Sequence, residues 1–228
     1  MSNLMIPAAS LLLLRTDPFS VLMGKRNEGL VFGANHWVFP GGRIDDTDHT
    51  AVAGLSNDAL AAARHAALRE AREEAAIDLD VGSNLHALVP LARWIAPAGT
   101  SRRFDTWFFL GEAPVGAVPT ADGSEIIEVA FVEPNAMLLA LEREEVELLP
   151  PTVLNLRWLA AAGSAAAAFE QAAARTAPLV EPEHFRRDGE AYIRIDASAG
   201  YDIHEYHLPS RKTPPRSKPR SATPPYME

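Results

Sequence analysis

Short apolar runs and one long helical stretch alternate along the first third of the chain. The apolar runs at residues 8–15 and 20–24 are separated by a Pro-containing turn and predict two paired strands. A third run, residues 37–39, ends at Pro40-Gly41-Gly42, which predicts a tight turn with accessible backbone groups. Residues 58–77 are rich in Ala, Leu, Arg and Glu and free of Gly and Pro, so they predict one long helix.

The rest of the chain adds strands first and helices later. Strands are predicted at 88–95, 106–110 and 126–132, helices at 136–145 and 152–174 with a break near Gly163, and short strands at 190–195 and 201–207. We therefore expect a core in residues 1–134 and a helical extension packed on it in residues 135–208. Residues 209–228 contain six prolines among Ser, Thr, Lys and Arg, which predicts a flexible basic tail.

The charge distribution limits the classes of partner. The formal net charge is -9, yet the last twenty residues hold five basic side chains and one glutamate, so the body is more acidic than the whole chain. Gripping a nucleic acid backbone requires clustered Lys and Arg, so we exclude nucleic acid as the main partner. If the ligand is a phosphate compound, an acidic body implies metal ions between the two.

Two absences in the composition narrow the chemistry and the compartment. The chain has no cysteine, which excludes disulfides, thiolate zinc sites and a cysteine nucleophile. No run approaches the ~20 consecutive apolar residues of a membrane span, so no membrane partner is predicted. Residues 1–7 lack the basic segment and apolar core of a secretory signal, and we expect a cytoplasmic protein.

Three carboxylates share one face of the long predicted helix. Glu70, Glu73 and Glu74 stand at i, i+3 and i+4, and such like charges destabilise a helix unless a cation lies between them. Oxygen ligands suit Mg²⁺ or Mn²⁺, which complete their shells with water and substrate phosphates, and the carbonyl of Gly42 is a further candidate ligand. The alternative is an ordinary solvated helix face, salt-bridged by neighbouring arginines.

In this order, these residues resemble the Nudix box, which runs Gly, five residues, Glu, seven residues, then Arg-Glu-apolar-x-Glu-Glu-x-Gly-apolar. Gly42 and Asp48 match its opening, with Asp in place of Glu. Residues 49–68 are twenty residues where the pattern has seven, an insertion of thirteen that we expect to lengthen the loop before the helix. The second half then matches, with Arg69, Glu70, Glu73, Glu74 and Ile77 on their expected positions.

Two substitutions depart from the box. We expect Asp48 to anchor its partner more weakly than the longer glutamate. Ala76 stands where the pattern has Gly, at a helix end that needs a left-handed backbone, and we expect a cost of roughly 1 kcal/mol without loss of a ligand.

The extended box resembles in particular that of the coenzyme A diphosphatases, as do the motifs at residues 103–109 and 149–159. We expect the rings of the first motif to pack in the core, with a base-stacking platform as the alternative. The fold that the resemblance implies is an α/β/α sandwich, in which a mixed sheet carries the box helix on one side and later helices on the other.

The resemblance also implies roles for individual residues. Glu70, Glu73, Glu74 and the Gly42 carbonyl hold Mg²⁺ or Mn²⁺, and Arg69 holds the carboxylates in place. Glu70 is the preferred general base, with Glu125 or Glu128 from a later segment as alternatives, and Arg103, Gly41 and Arg43 are candidate substrate contacts.

The reaction that the resemblance implies is metal-dependent cleavage of a diphosphate linkage. The expected substrate is a small nucleoside diphosphate derivative, coenzyme A or an acyl-coenzyme A, cut to adenosine 3′,5′-bisphosphate and a phosphopantetheine product. ADP-ribose or NADH is the nearer alternative, and a non-catalytic nucleotide-sensing module is the farther one. The oligomeric state is left open, with a homodimer as one alternative.

Overall fold

The structure of the protein is a computed structural model, which describes residues 5–55, 58–98, 100 and 102–208. A mixed sheet lies at its centre. The predicted flexible tail lies outside these ranges. The strands are β1 (Met5–Arg15), β2 (Ser20–Arg26), β3 (His36–Val38), β4 (Gly41–Arg43), β5 (Val89–Ile95), β6 (Arg103–Glu112), β7 (Ile126–Val132), β8 (Glu147–Leu148), β9 (Leu179–Val180), β10 (Glu183–Arg187), β11 (Glu190–Arg194) and β12 (Glu205–Leu208). The helices are α1 (Asp46–Ala51), α2 (Asp58–Ala75), α3 (Val81–Ala87), α4 (Pro134–Glu142), α5 (Pro150–Ala162) and α6 (Ala165–Ala173), and a 3₁₀ turn spans Ala197–Ala199.

Nine of the described strands join the central sheet in the order β8-β3-β2-β1-β6-β5-β9, with β4 added to β1 and β7 added to β2. β1 and β6 run parallel over ten residue pairs, from Met5 opposite Arg103 to Leu14 opposite Glu112. The pairs β1–β2, β1–β4, β2–β7 and β5–β6 are antiparallel. Strands β10, β11 and β12 form a separate antiparallel sheet.

Successive β1 side chains point to opposite faces of the sheet, and each face has its own core. Leu11 and Leu13 pack with α2, while Leu12 and Leu14 pack with the later helices, including Met137 of α4. The predicted α/β/α sandwich is therefore confirmed. On the α2 side the helix buries mostly alanines, whose small side chains allow a close approach to the sheet.

Several local predictions differ from the structure. Gly41–Arg43 form the short strand β4 paired with β1 and not only a turn, because Gly41 has no side chain to hold it away from the β1 backbone. The inserted segment does not only lengthen a loop, since part of it is in α1 and part extends α2. Helix α3 and strand β10 were not predicted, because their sequences, Val-Gly-Ser-Asn-Leu-His-Ala and Glu-His-Phe-Arg-Arg, have weak propensity or little apolar periodicity.

Candidate active site

Strand β4 brings the two glycines of the box directly against the carboxylates of α2. The backbone N–H of Gly41 donates a hydrogen bond of 2.9 Å to Oε2 of Glu74. A Cβ on Gly41 would lie 2.5 Å from the carbonyl oxygen of Ala9, and one on Gly42 would lie 2.1 Å from Oε1 of Glu70. At Gly41 a side chain would meet the β1 backbone, so only glycine fits there, whereas a side chain at Gly42 would displace the carboxylate of Glu70.

The two carboxylates closest to these glycines are partly withdrawn from water. Glu74 is only 6% exposed, and this burial raises its pKa to about 8, with Glu70 and Glu125 adding repulsion. Burial also raises the pKa of Glu70, although Arg69 opposes that shift. The ionised forms of Glu70 and Glu74 are therefore disfavoured, and a bound cation would stabilise them.

Glu125 approaches the same place from the segment before β7. Arg26, at the end of β2, lies between the acidic groups, with Nη1 4.0 Å from Oε1 of Glu74 and Nη2 3.9 Å from Oε2 of Glu125. The sequence analysis missed Arg26, whose one signal was a basic residue two positions after the strand predicted at 20–24. The structure thus brings Glu70, Glu74 and Glu125 together, whereas Glu128 lies within β7 opposite Lys25 of β2.

Arg69 connects the two halves of the box. Its Nη1 donates to Oε1 of Glu70 at 2.8 Å and to Oε2 of Glu73 at 3.0 Å, and its Nη2 donates to the carbonyl of Arg43 at 2.9 Å. Its other edge meets Asp48, with Nε 3.1 Å from Oδ1 and Nη2 3.0 Å from Oδ2. Hydrogen bonds to Asp48 raise the pKa of Arg69 further above its usual value.

Asp48 is a fully buried anchor. It is 0% exposed, and besides Arg69 it accepts hydrogen bonds from the backbone N–H of Asp45 at 2.9 Å and from Nδ1 of His65 at 2.7 Å. Burial opposes its ionisation, but the hydrogen bonds from Arg69, Asp45 and His65 together lower its pKa. The expectation of weaker anchoring by the shorter side chain finds no support in this geometry, since the carboxylate accepts bonds from all of these donors.

The other predicted site residues lie farther out. The Glu73 side chain is 57% exposed and pairs with Arg69 on the outer edge of the carboxylate face, and Arg43 is exposed. Arg103 donates to the carbonyl of Ala96 and pairs with Glu181, which follows β9, so these contacts tie it to the C-terminal segment rather than to the carboxylates.

The aromatic motif at 103–109 divides between core and surface. Phe108 and Phe109 are buried in the two cores, as expected. Phe104 is half-buried and lies against Phe32 of the β2–β3 segment, with ring centroids 5.5 Å apart. The carbonyl of Phe32 accepts a 3.3 Å hydrogen bond from Nε of Arg26, so this aromatic pair lies beside the carboxylates.

Hard divalent ions fit the donor chemistry of this site. Within the described residues no three acidic or histidine side chains already converge as a preformed metal cluster. The crowded, poorly compensated carboxylates of Glu70 and Glu74 nevertheless offer the oxygen ligands that such ions prefer, at a place where glycine leaves room on the facing strand.

The family model described as the NUDIX domain matches residues 5–152, which is the greater part of the chain and includes every residue of the carboxylate site. The chain belongs to the Nudix family of hydrolases. The Nudix fold is also found in a NUDIX hydrolase from Alicyclobacillus acidocaldarius, which is 22% identical with a TM-score of 0.64, the match covering 78% of this chain and 99% of that chain. A MutT protein from Methanosarcina mazei Go1 is 19% identical with a TM-score of 0.45, covering 68% and 92%.

No curated protein matches the chain in sequence. Among the helices that the structure describes, none combines the length and the apolar character needed to cross a bilayer.

Proposed function

We propose that this Nudix protein hydrolyses the diphosphate linkage of a nucleoside diphosphate derivative, with coenzyme A or an acyl-coenzyme A as the substrate. The observation that carries the proposal is the pair of carboxylates, Glu70 and Glu74, against the glycine strand β4, with Glu125 close enough to repel both. Burial and mutual repulsion raise the pKa of Glu74 and of Glu70, so the cluster favours a cationic partner. A diphosphate bridged by divalent ions supplies such a partner together with a substrate.

Glu70 and Glu74, with Glu73 and the Gly42 carbonyl at the margin, would hold Mg²⁺ or Mn²⁺. When bound, the ion supplies charge neutralisation of the diphosphate and acidification of a water molecule. Arg69 keeps Glu70 and Glu73 in position through charge-assisted hydrogen bonds. Gly41 orients Glu74 through its backbone N–H. Glu70 and Glu74 are therefore each held by a donor that does not take part in the reaction.

Proton transfer falls to the glutamates. We assign the general base to Glu70, whose carboxylate lies beside Gly42 and is held by Arg69. Glu125 is the alternative base, since its side chain is 62% exposed and lies 3.9 Å from Arg26 at the same cluster. Arg43 and Gly41 stay candidate substrate contacts, while the contacts of Arg103 with Ala96 and Glu181 favour a structural role for that residue.

The proposal has two alternatives. In one, the same reaction acts on ADP-ribose or NADH; in the other, the protein senses a nucleotide without turnover. The coenzyme A assignment is supported by the extended box and by the motifs at 103–109 and 149–159. In the second motif, however, Asn155 is buried and accepts a hydrogen bond from the Tyr201 hydroxyl at 2.7 Å, so it supports packing and not substrate binding. The cytoplasmic location and the homodimer stay predictions.

The test offers coenzyme A, acetyl-coenzyme A, ADP-ribose and NADH side by side with Mg²⁺ and identifies the products by mass. We expect adenosine 3′,5′-bisphosphate from coenzyme A and from acetyl-coenzyme A. This product should be lost in Glu74→Gln and still form in Glu170→Gln, a matched change at an exposed position on α6. Faster cleavage of ADP-ribose or NADH would keep the reaction and replace the substrate. Binding without any turnover would overturn catalysis in favour of a sensing module.

A further inference from the structure

The segment that separates the two halves of the Nudix box contributes a side chain to the site. His65 is in α2, one turn before Arg69, and so belongs to residues 49–68. Its Nδ1 lies 2.7 Å from Oδ1 of Asp48. Its side chain is 20% exposed, whereas that of Asp48 is completely buried.

The direction of this hydrogen bond follows from the other partners of Asp48. The carboxylate accepts from Arg69 and from the N–H of Asp45, and an ionised carboxylate has only acceptor atoms. The Nδ1 of His65 must therefore carry the hydrogen. Without it, the described residues would leave Oδ1 of Asp48 with the 3.1 Å hydrogen bond from Nε of Arg69 alone.

Arg69 links this buried pair to the carboxylate cluster. One edge of its guanidinium meets Asp48, and its Nη1 reaches Glu70 and Glu73. A change in how Asp48 is held changes the placement of the guanidinium, and with it the two glutamates. Buried charged groups in one network act together in this way, because each unmet partner is costly in a low-dielectric setting.

We propose that His65 is a positioning residue, which donates from Nδ1 to Asp48 and so holds Arg69 in the place from which it orients Glu70 and Glu73. The segment between the two halves of the box then has a definite role: it supplies the histidine that completes the shell of the buried aspartate. The effect on turnover rests on the proposed function and the effect on Mn²⁺ affinity on the proposed metal site, whereas the hydrogen bond rests on neither.

The experiment compares His65→Leu, which removes the donor, with His65→Asn, whose amide N–H can take the place of Nδ1–H. His49→Leu is the matched control, a histidine of the same segment that is exposed on α1. For His65→Leu we expect kcat to fall about 10–100-fold with KM changed less than about twofold, as for other residues that orient a metal ligand. We expect Mn²⁺ affinity, measured by electron paramagnetic resonance without substrate, to fall about tenfold. His65→Asn should restore both values to within about threefold, a rescue that a purely packing role of the ring would not produce.

Two further readouts keep the idea testable if His65→Leu fails to fold. Nitrogen chemical shifts of His65 in the wild-type protein should report the Nδ1–H tautomer, and His65→Asn should keep kcat within about threefold of the wild-type value. Any of three results would overturn the proposal. They are an Nε2–H tautomer, a folded His65→Leu with unchanged kcat and Mn²⁺ affinity, and a folded His65→Asn that does not restore kcat and Mn²⁺ affinity. If the wild-type protein cleaves none of the offered diphosphates, the proposed function fails, and the tautomer and the Mn²⁺ titration still decide the role of His65.

Discussion

Replacing Ala76 by glycine should stabilise the protein. Ala76 follows the last residue of α2 with a φ of +54°, and its side chain is exposed, so the substitution relieves strain and loses little packing. A left-handed backbone costs an L-residue about 1–2 kcal/mol. Against this gain, glycine lowers the free energy of unfolding by about 0.4–1 kcal/mol, because it raises the entropy of the unfolded chain. We expect a net gain of about 0.5–1 kcal/mol in the free energy of unfolding, or about 1–4 °C in Tm for a chain of this size.

Urea and thermal unfolding of Ala76→Gly beside Ala161→Gly isolate the conformational effect. Ala161 is also exposed and near a helix end, but its backbone is right-handed within α5. There, glycine should lower stability by about 0.5–1 kcal/mol. Equal losses in both variants would refute the reasoning, because they would mean that the backbone at Ala76 imposes no penalty on a side chain.

Three further predictions concern the site. In Gly42→Ala the new Cβ would lie 2.1 Å from Oε1 of Glu70, so the carboxylate must move and kcat should fall roughly 100-fold. In the control Gly82→Ala the new Cβ would lie an ordinary 3.6 Å from Oδ2 of Asp80, and turnover should not change. The Glu74 pKa of about 8 lies above its ordinary 4.5, so the stability that the proton contributes is complete below pH 4.5 and is lost as pH rises through 8. Denaturation in a chelating buffer should show this loss in the wild-type protein and not in Glu74→Gln. In Phe32→Ala the KM for a nucleotide substrate should rise roughly tenfold, while the KM for a base-free diphosphate stays constant, if the 41% exposed ring stacks with the base.

Individual helices and strands were predictable from local periodicity, whereas the α/β/α layering was predicted from the resemblance to the Nudix box. The helix predicted at residues 58–77 is observed as Asp58–Ala75, and the strand predicted at 126–132 is observed with the same bounds. Each is long or strongly patterned, so tertiary contacts reinforce the local preference. Residues 41–43 differ, since their strand exists only because the β1 backbone lies alongside, and glycines carry no pattern from which a strand could be predicted.

The site was predictable to the extent that its residues lie in one ordered motif. Glu70 and Glu74 were found because the spacing of the box specifies them, and the later candidate Glu125 lies 3.9 Å from Arg26 at the same cluster. Arg26 itself was missed, because its approach to the carboxylates depends on the path of β2 across the sheet. Similarly, nothing in the local sequence pairs His65 with Asp48, since seventeen positions and a turn of the chain separate them.

Asp48 provides a last test of whether the chain or the family pattern determines the anchor. The pattern favours glutamate, but here the aspartate is 0% exposed, and both of its oxygens already accept from Arg69. One more methylene in such a packed position forces neighbouring groups to shift, which typically costs about 1–3 kcal/mol. We therefore expect Asp48→Glu to lower both Tm and kcat, although it restores the family residue, and Asp46→Glu, exposed on α1, to change neither. A Tm and kcat equal to or above the wild-type values in Asp48→Glu would mean that α1 can move to accept the longer side chain, and that the inserted segment adapts to the anchor instead of fixing it.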